Sequence, residues 1–274
     1  MKFPIISAFP IAFVSIALAQ NVPATVSPAA AIKTTDPAGI LVGRLELERY
    51  KSTISGLTRF GDRRQALVME LARIFSASDV RAERSIRFVL WNNEETGLNG
   101  ARAYVTQRAA LQGQENPTGS GQYPEPRWLG MIQHDMVLFD HGMPRPDGAV
   151  PTQQRPEADV NIEFQSAARF ADDAQKLAWA FHAANEAYAS DYPAAVGPHM
   201  TNTDSTPFMD LVAAISVREN ERGREIGAGW DPHWHQPTDL YATFTDQDFR
   251  LGLNAAQTTL GAVARLSGAS LRQQ

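Results

Sequence analysis

The sequence contains no cysteine. That excludes disulfides, thiolate metal sites and cysteine nucleophiles together, so any metal must be held by His, Asp and Glu. It also lacks a basic run, and its formal net charge is −5. Neither nucleic acid nor an anionic membrane surface is indicated as a main partner. No internal repeat is present, and beyond residue 20 no apolar stretch is long enough to cross a membrane. What is there suits a folded enzyme-sized unit: 274 residues, 43% hydrophobic and 20% charged, enough for a sizeable core.

The chain opens "MKFPIISAFPIAFVSIALAQ". One lysine, Lys2, leads into an apolar run that ends at Ala17-Leu18-Ala19, the pattern of a secretory signal with a small-x-small cleavage site. The run is short for a membrane span, which disfavours the alternative of an uncleaved anchor. Residues 1–19 are read as the signal and 20–38 as a flexible lead-in poor in bulky residues. Export without disulfides fits a bacterial periplasm or medium, so the expected location is periplasmic or secreted.

Further along, "GILVGRLELERYKSTIS" reads as one short helix. "DRRQALVMELARIFS" is a stronger one, with Leu67, Leu71, Ile74 and Phe75 on one face and Asp62 placed to cap it. "RSIRFVLW" is a nearly continuous apolar run and predicts a strand buried on both faces. Gly97 to Gln112 predicts a helix. "WLGMIQHDMVLF" predicts a strand ending near His134-Asp135, "VNIEF" a short strand, and "MDLVAAISVRE" another buried one. Phe170, Ala174, Leu177, Phe181, Ala184 and Tyr188 mark an amphipathic helix. A last helix starts at a T-x-x-D capping box, Thr245 and Asp248. Helices alternating with apolar strands predict an α/β fold with a largely parallel sheet covered on both sides.

Three polar clusters fall where such strands end, which is where open α/β sheets bind ligands. They are Glu94-Glu95, His134-Asp135, and the pair His233 and His235 in an aromatic loop. Two adjacent carboxylates repel unless a cation compensates them. Carboxylate and imidazole donors without thiolate suit a catalytic divalent metal with an open position for water. Taken singly, each cluster is equally what a solvated or packed loop carries.

Taken together, the segments resemble a family. "IRFVLWNNEETGLNGARAYV" carries E-E-x-G-L-x-G between a strand and a helix. It closely resembles the hallmark of the co-catalytic zinc aminopeptidases and carboxypeptidases of peptidase family M28. "MIQHDM", "WHQPTDLY" and "NTDSTPFMDLVAAISV" resemble that family's later segments, and "ALVMELARIFS" the helix after its bridging aspartate. The resemblance covers roughly residues 66–266. It implies a zinc exopeptidase-like, three-layer fold with a mostly parallel, twisted mixed sheet. It implies Glu94 as general base, Glu95 and His235 as ligands of one zinc, and Asp135 as a ligand of the other. Asp239 would orient His235. His233, Asp62 and Asp204 are candidate substitutes.

The family's H-x-D and A-x-D-D/N-x-S-G segments, which supply a histidine ligand and the bridging aspartate, are absent. Before "ALVMELAR" stands "SGLTRFGDRRQ", with Phe60 at the aligned position and Asp62 two residues off. An internal deletion before Ala66 accounts for this. Residues 39–65 would then be a remnant of the N-terminal region, 66–274 the catalytic domain, and some first strands would be missing. The implied function is an exported zinc-dependent peptidase acting on a peptide or small aminoacyl substrate. Two zincs are the family's complement, and one or none is expected here. The alternatives are an inactive member serving as a binding or structural module, and a single-zinc acyltransferase of the glutaminyl cyclase type.

Overall fold

A computed structural model describes residues 35–58, 66–140, 160–219, 231 and 233–272. The expected signal, Asp62 and the expected join before Ala66 lie outside the described residues.

Asp36 caps α1 (Pro37–Val42) by accepting the Ala38 N–H on its side chain. Gly43 ends that helix, and Arg44 N–H and Leu45 N–H bond back three residues to Leu41 and Val42. The chain then restarts as α2 (Leu47–Thr58). The single helix expected over this stretch is therefore two, with Leu45 buried at the turn between them. In α3 (Ala66–Phe75) the buried face is Leu67, Leu71 and Ile74.

β1 (Val80–Arg81) pairs antiparallel with β6 (Ser270–Leu271) as a separate ribbon. The main sheet holds β2 (Met131–His134), β3 (Val160–Glu163), β4 (Ala194–Gly197) and β5 (Ala214–Glu219) in the order β2-β5-β3-β4. The β2/β5 and β3/β4 pairs are parallel and β3/β5 is antiparallel, so the sheet is mixed. β4 was not anticipated; its small residues, Ala194-Ala195-Val196-Gly197, carry little strand signal.

Register assigns the two faces. Ile132 stands beside Ile215, and Ile162 beside Val217. This face enters the main core with α5 (Ala171–Tyr188), α6 (Asp246–Ser267) and the first three helices. The other face shows Met131, Gln133, Ala214, Ser216 and Arg218. Met131 and Ala214 pack there in a second cluster with Phe208, Val212 and Ala101 of α4 (Asn99–Arg108). Helical layers thus cover both faces, as the alternating pattern requires. The capping box of α6 is formed, Thr245 and Asp248 each satisfying the other's backbone N–H.

One expected element is missing. Ser85–Trp91 forms no strand, and among the described residues no backbone–backbone hydrogen bond involves it. Its side chains are exposed or half-buried rather than enclosed on both faces. A cavity of about 930 Å³ separates it from β2, so the strand has no ladder partner to define it.

Candidate functional site

The two glutamates sit on a turn built by their own motif. Gly97 N–H and Leu98 N–H both donate to the Glu94 carbonyl, at 3.0 and 2.8 Å. Asn99 N–H reaches the Asn93 carbonyl and Gly100 N–H that of Asn92. Gly97 is needed because its φ is +116°. Gly100 is needed because a Cβ there would lie 2.6 Å from the Asn92 carbonyl oxygen. The glycines of E-E-x-G-L-x-G are thus the means by which the chain doubles back before α4 and presents both carboxylates. Glu94 is half-buried and Glu95 exposed.

His235 meets this turn from a distant segment. Its Nε2 lies 2.8 Å from Glu95 Oε1, with both side chains a little under half exposed. The imidazole stacks on the Trp234 indole at 4.0 Å. An exposed side-chain contact of this kind contributes only ~0–1 kcal/mol. The contact therefore matters for the donors it assembles rather than for stability.

Asp135 follows β2. Its N–H extends the ladder to the Val217 carbonyl, and its Oδ2 accepts the Thr203 hydroxyl at 2.9 Å. Asp204, next to Thr203, is 5% exposed. His233 is held between the Phe139 and Phe244 rings, edge-on to each, and its Nδ1 lies 3.0 Å from Thr238 Oγ1. Asp239 N–H bonds to the Gln236 carbonyl.

Backbone strain marks the same places. The non-glycine residues with positive φ among the described ones are Asn93, Leu98, Met136, Asn202 and His235. Each lies at or within two residues of Glu94, Asp135, Asp204 or His235, or inside the E-E-x-G-L-x-G turn itself. Such conformations cost of order ~1–3 kcal/mol each and persist where surrounding structure over-determines them, commonly at functional sites.

Residues 65–251 match the model of peptidase family M28. The chain belongs to peptidase family M28. Similar solved structures include a Bacillus subtilis zinc aminopeptidase, at 16% identity and a TM-score of 0.49. That match covers 73% of this chain and 40% of the other. The Legionella pneumophila LapA aminopeptidase is 16% identical with a TM-score of 0.48, covering 76% and 46%. A Bacteroides thetaiotaomicron glutaminyl cyclase is 18% identical with a TM-score of 0.41, covering 72% and 59%. The chain spans less than half the length of these aminopeptidases. Comparison with curated proteins found no match.

The donor set of this M28 chain is right in kind and short in number. A catalytic zinc generally takes three protein ligands. Among the described residues no group of three or more His, Asp or Glu side chains is arranged to hold a metal ion. The structure brings Glu95 and His235 together and gives Asp135 to Thr203 instead.

Sequence reasoning overlooked two groups. Thr203 was visible only as the residue before Asp204. Glu125, 1% exposed, accepts from Arg87 Nη1 at 2.7 Å, Arg108 Nη1 at 3.1 Å and the Trp128 indole N–H at 2.6 Å. Both arginines are remote from it in sequence, so no local signal could have shown this cage.

Proposed function

We propose that this chain is an exported, metal-dependent peptidase of the aminopeptidase type, working with a centre reduced from two metals to at most one. The observation that carries the reading is the 2.8 Å approach of His235 to Glu95 on a turn that also presents Glu94. Glu95 and His235 supply two of the three donors that a divalent cation needs. Such an ion, when bound, lowers the pKa of water and polarises a carbonyl. Glu94, one residue before Glu95 and not spent as a ligand, would take the proton of the attacking water and return it to the leaving amine. Asp204 or His233 would have to move to complete the set, or Asp62 supply it from outside the described residues.

The missing H-x-D and bridging-aspartate segments support the reduced centre. The DNA around codons 65 and 66 tests whether an internal segment was lost there.

The experiment is elemental analysis after dialysis paired with a leucyl-anilide assay. The expected result is at most one loosely held divalent ion and turnover far below that of a full-length aminopeptidase. Two tightly bound zincs with robust turnover would overturn the reading. The engagement of Asp135 by Thr203 favours a second reading, a non-catalytic module. Turnover that does not exceed that of a Glu94→Gln blank would decide for it.

A further inference from the structure

β2 is the edge of the main sheet, and its open side faces a cavity. Met131 N–H and Asp135 N–H both donate to β5, to the carbonyls of Ala213 and Val217. In a parallel pair, alternate residues point to alternate sides. The N–H and C=O groups of Ile132 and His134 therefore point away from β5, and among the described residues β2 pairs with nothing else. Across the cavity runs Ser85–Trp91, an apolar segment equally without a backbone partner among the described residues. Backbone polar groups facing an apolar space normally find hydrogen-bond partners. Here two edges, unpaired among the described residues, flank one space of about 930 Å³.

The lining gives the occupant's chemistry. Its floor is aromatic and aliphatic, with Phe88, Trp91, Trp128 and Leu177. Its charged residues are Arg84, Arg87, Arg127 and Arg265 against Glu125 alone, a basic groove in a chain of net charge −5. Leu129, a lining residue 70% exposed, continues the apolar surface outward.

We propose that this groove is a strand-accepting site. Its occupant is an extended, apolar peptide segment with acidic ends, supplied by another protein. The segment lies between β2 and Ser85–Trp91 and pairs with one or both by β-strand addition, main-chain bonds giving affinity and alternate side chains giving selectivity. Its acidic ends meet the arginines of the rim. This is independent of whether the Glu95–His235 centre holds a metal or hydrolyses anything.

The probe is a blocked seven-residue peptide, acetyl-Asp-Val-Thr-Val-Ile-Val-Asp-amide, matched in length to Ser85–Trp91. Trp91 and Trp128 line the groove, so intrinsic fluorescence reports binding. Hydrogen exchange locates it. The expected result is a one-to-one complex in which the amides of Ile132, His134 and residues 86–90 become protected. Alternate backbone N-methylation keeps the side chains but removes the ladder, and should weaken binding about tenfold or more. Arg127→Glu, at an exposed rim position, should weaken it while leaving the melting temperature unchanged. Three results overturn the proposal: no binding at millimolar peptide, equal binding of the N-methylated peptide, or residues 86–90 already protected in the free monomer. A dimer in which those amides are protected overturns it as well, since the occupant is then a second copy of this chain.

Discussion

Glu94 and Glu95 are neighbours with the same side chain, and the turn that holds them separates their surroundings. Glu95 reaches His235, whereas Glu94 is half-buried at the point where Gly97 and Leu98 close on its carbonyl. A base acts on water and a ligand holds an ion, so two isosteric changes should have different consequences. Glu94→Gln is expected to abolish any aminoacyl hydrolysis, a loss of ~10²–10⁴-fold, with divalent-metal affinity nearly unchanged. Glu95→Gln should weaken metal affinity, measured by competition with a chromogenic chelator. Equal loss of metal in both variants would refute the division of roles. Glu125 yields a pH prediction. Burial pushes its carboxyl up, but the hydrogen bonds from Arg87, Trp128 and Arg108 outweigh this and hold it below the ordinary range. The unfolded chain then binds the proton first as pH falls. Stability from this group is complete above the unfolded value and is lost from about pH 5 downward through the folded one. Glu125→Gln should be less stable at pH 7 and show a flatter acid limb in denaturation experiments between pH 7 and 3.

Among the elements, the α5–α6 contact is set by a glycine. A Cβ at Gly261 would lie 3.0 Å from Cε2 of Tyr188 and 3.2 Å from its Cγ, so the two helices approach as closely as they do because no side chain intervenes. Gly261→Ala should therefore destabilise. Overpacking costs ~1–3 kcal/mol, and the gain in helix propensity offsets up to ~1 kcal/mol of it. A chemical melt should show a net loss of about 1–2 kcal/mol, relieved when Tyr188 is shortened to Leu. No loss would mean that the helices slide apart freely. The contrast with Ser85–Trp91 is instructive. A helix satisfies its backbone within itself, so α6 starts at its own capping box. A strand needs a neighbour, and this one faces a cavity.

At the scale of the whole chain, the family match and the short span relative to the aminopeptidases set the question of what remains. Among the described residues four main-sheet strands are present, and the Asp135 loop and the Thr203-Asp204 turn follow two of them, β2 and β4. Among the described residues no helix is long and apolar enough to cross a membrane. The proposal of export rests on Lys2, the apolar run and Ala17-Leu18-Ala19. Mass spectrometry of the exported protein should find an N-terminus at or near Gln20. Recovery of intact Met1 in a soluble cytoplasmic pool would contradict export.

The sequence by itself determined the features whose physics is local or periodic. The apolar stripes of α3 and α5 specified their buried faces, and Thr245 and Asp248 specified where α6 begins, whereas α6 is buried over most of its surface. The alternation of helices with apolar runs specified a layered α/β fold. E-E-x-G-L-x-G specified a turn, because only glycine accepts the φ of Gly97 and the approach of Asn92 to Gly100. Tertiary structure decided whatever depends on partners far apart in the chain. It decided that Ser85–Trp91 has no strand beside it among the described residues, since apolar character makes a strand feasible but only a neighbour makes it one. It decided that β4 exists, on pairing with β3 rather than on its own weak propensity. It placed Glu95 against His235, 140 residues apart, and Asp135 against Thr203, 68 apart. Residue type settles which side chains can donate to a metal, and only the folded backbone settles which of them meet.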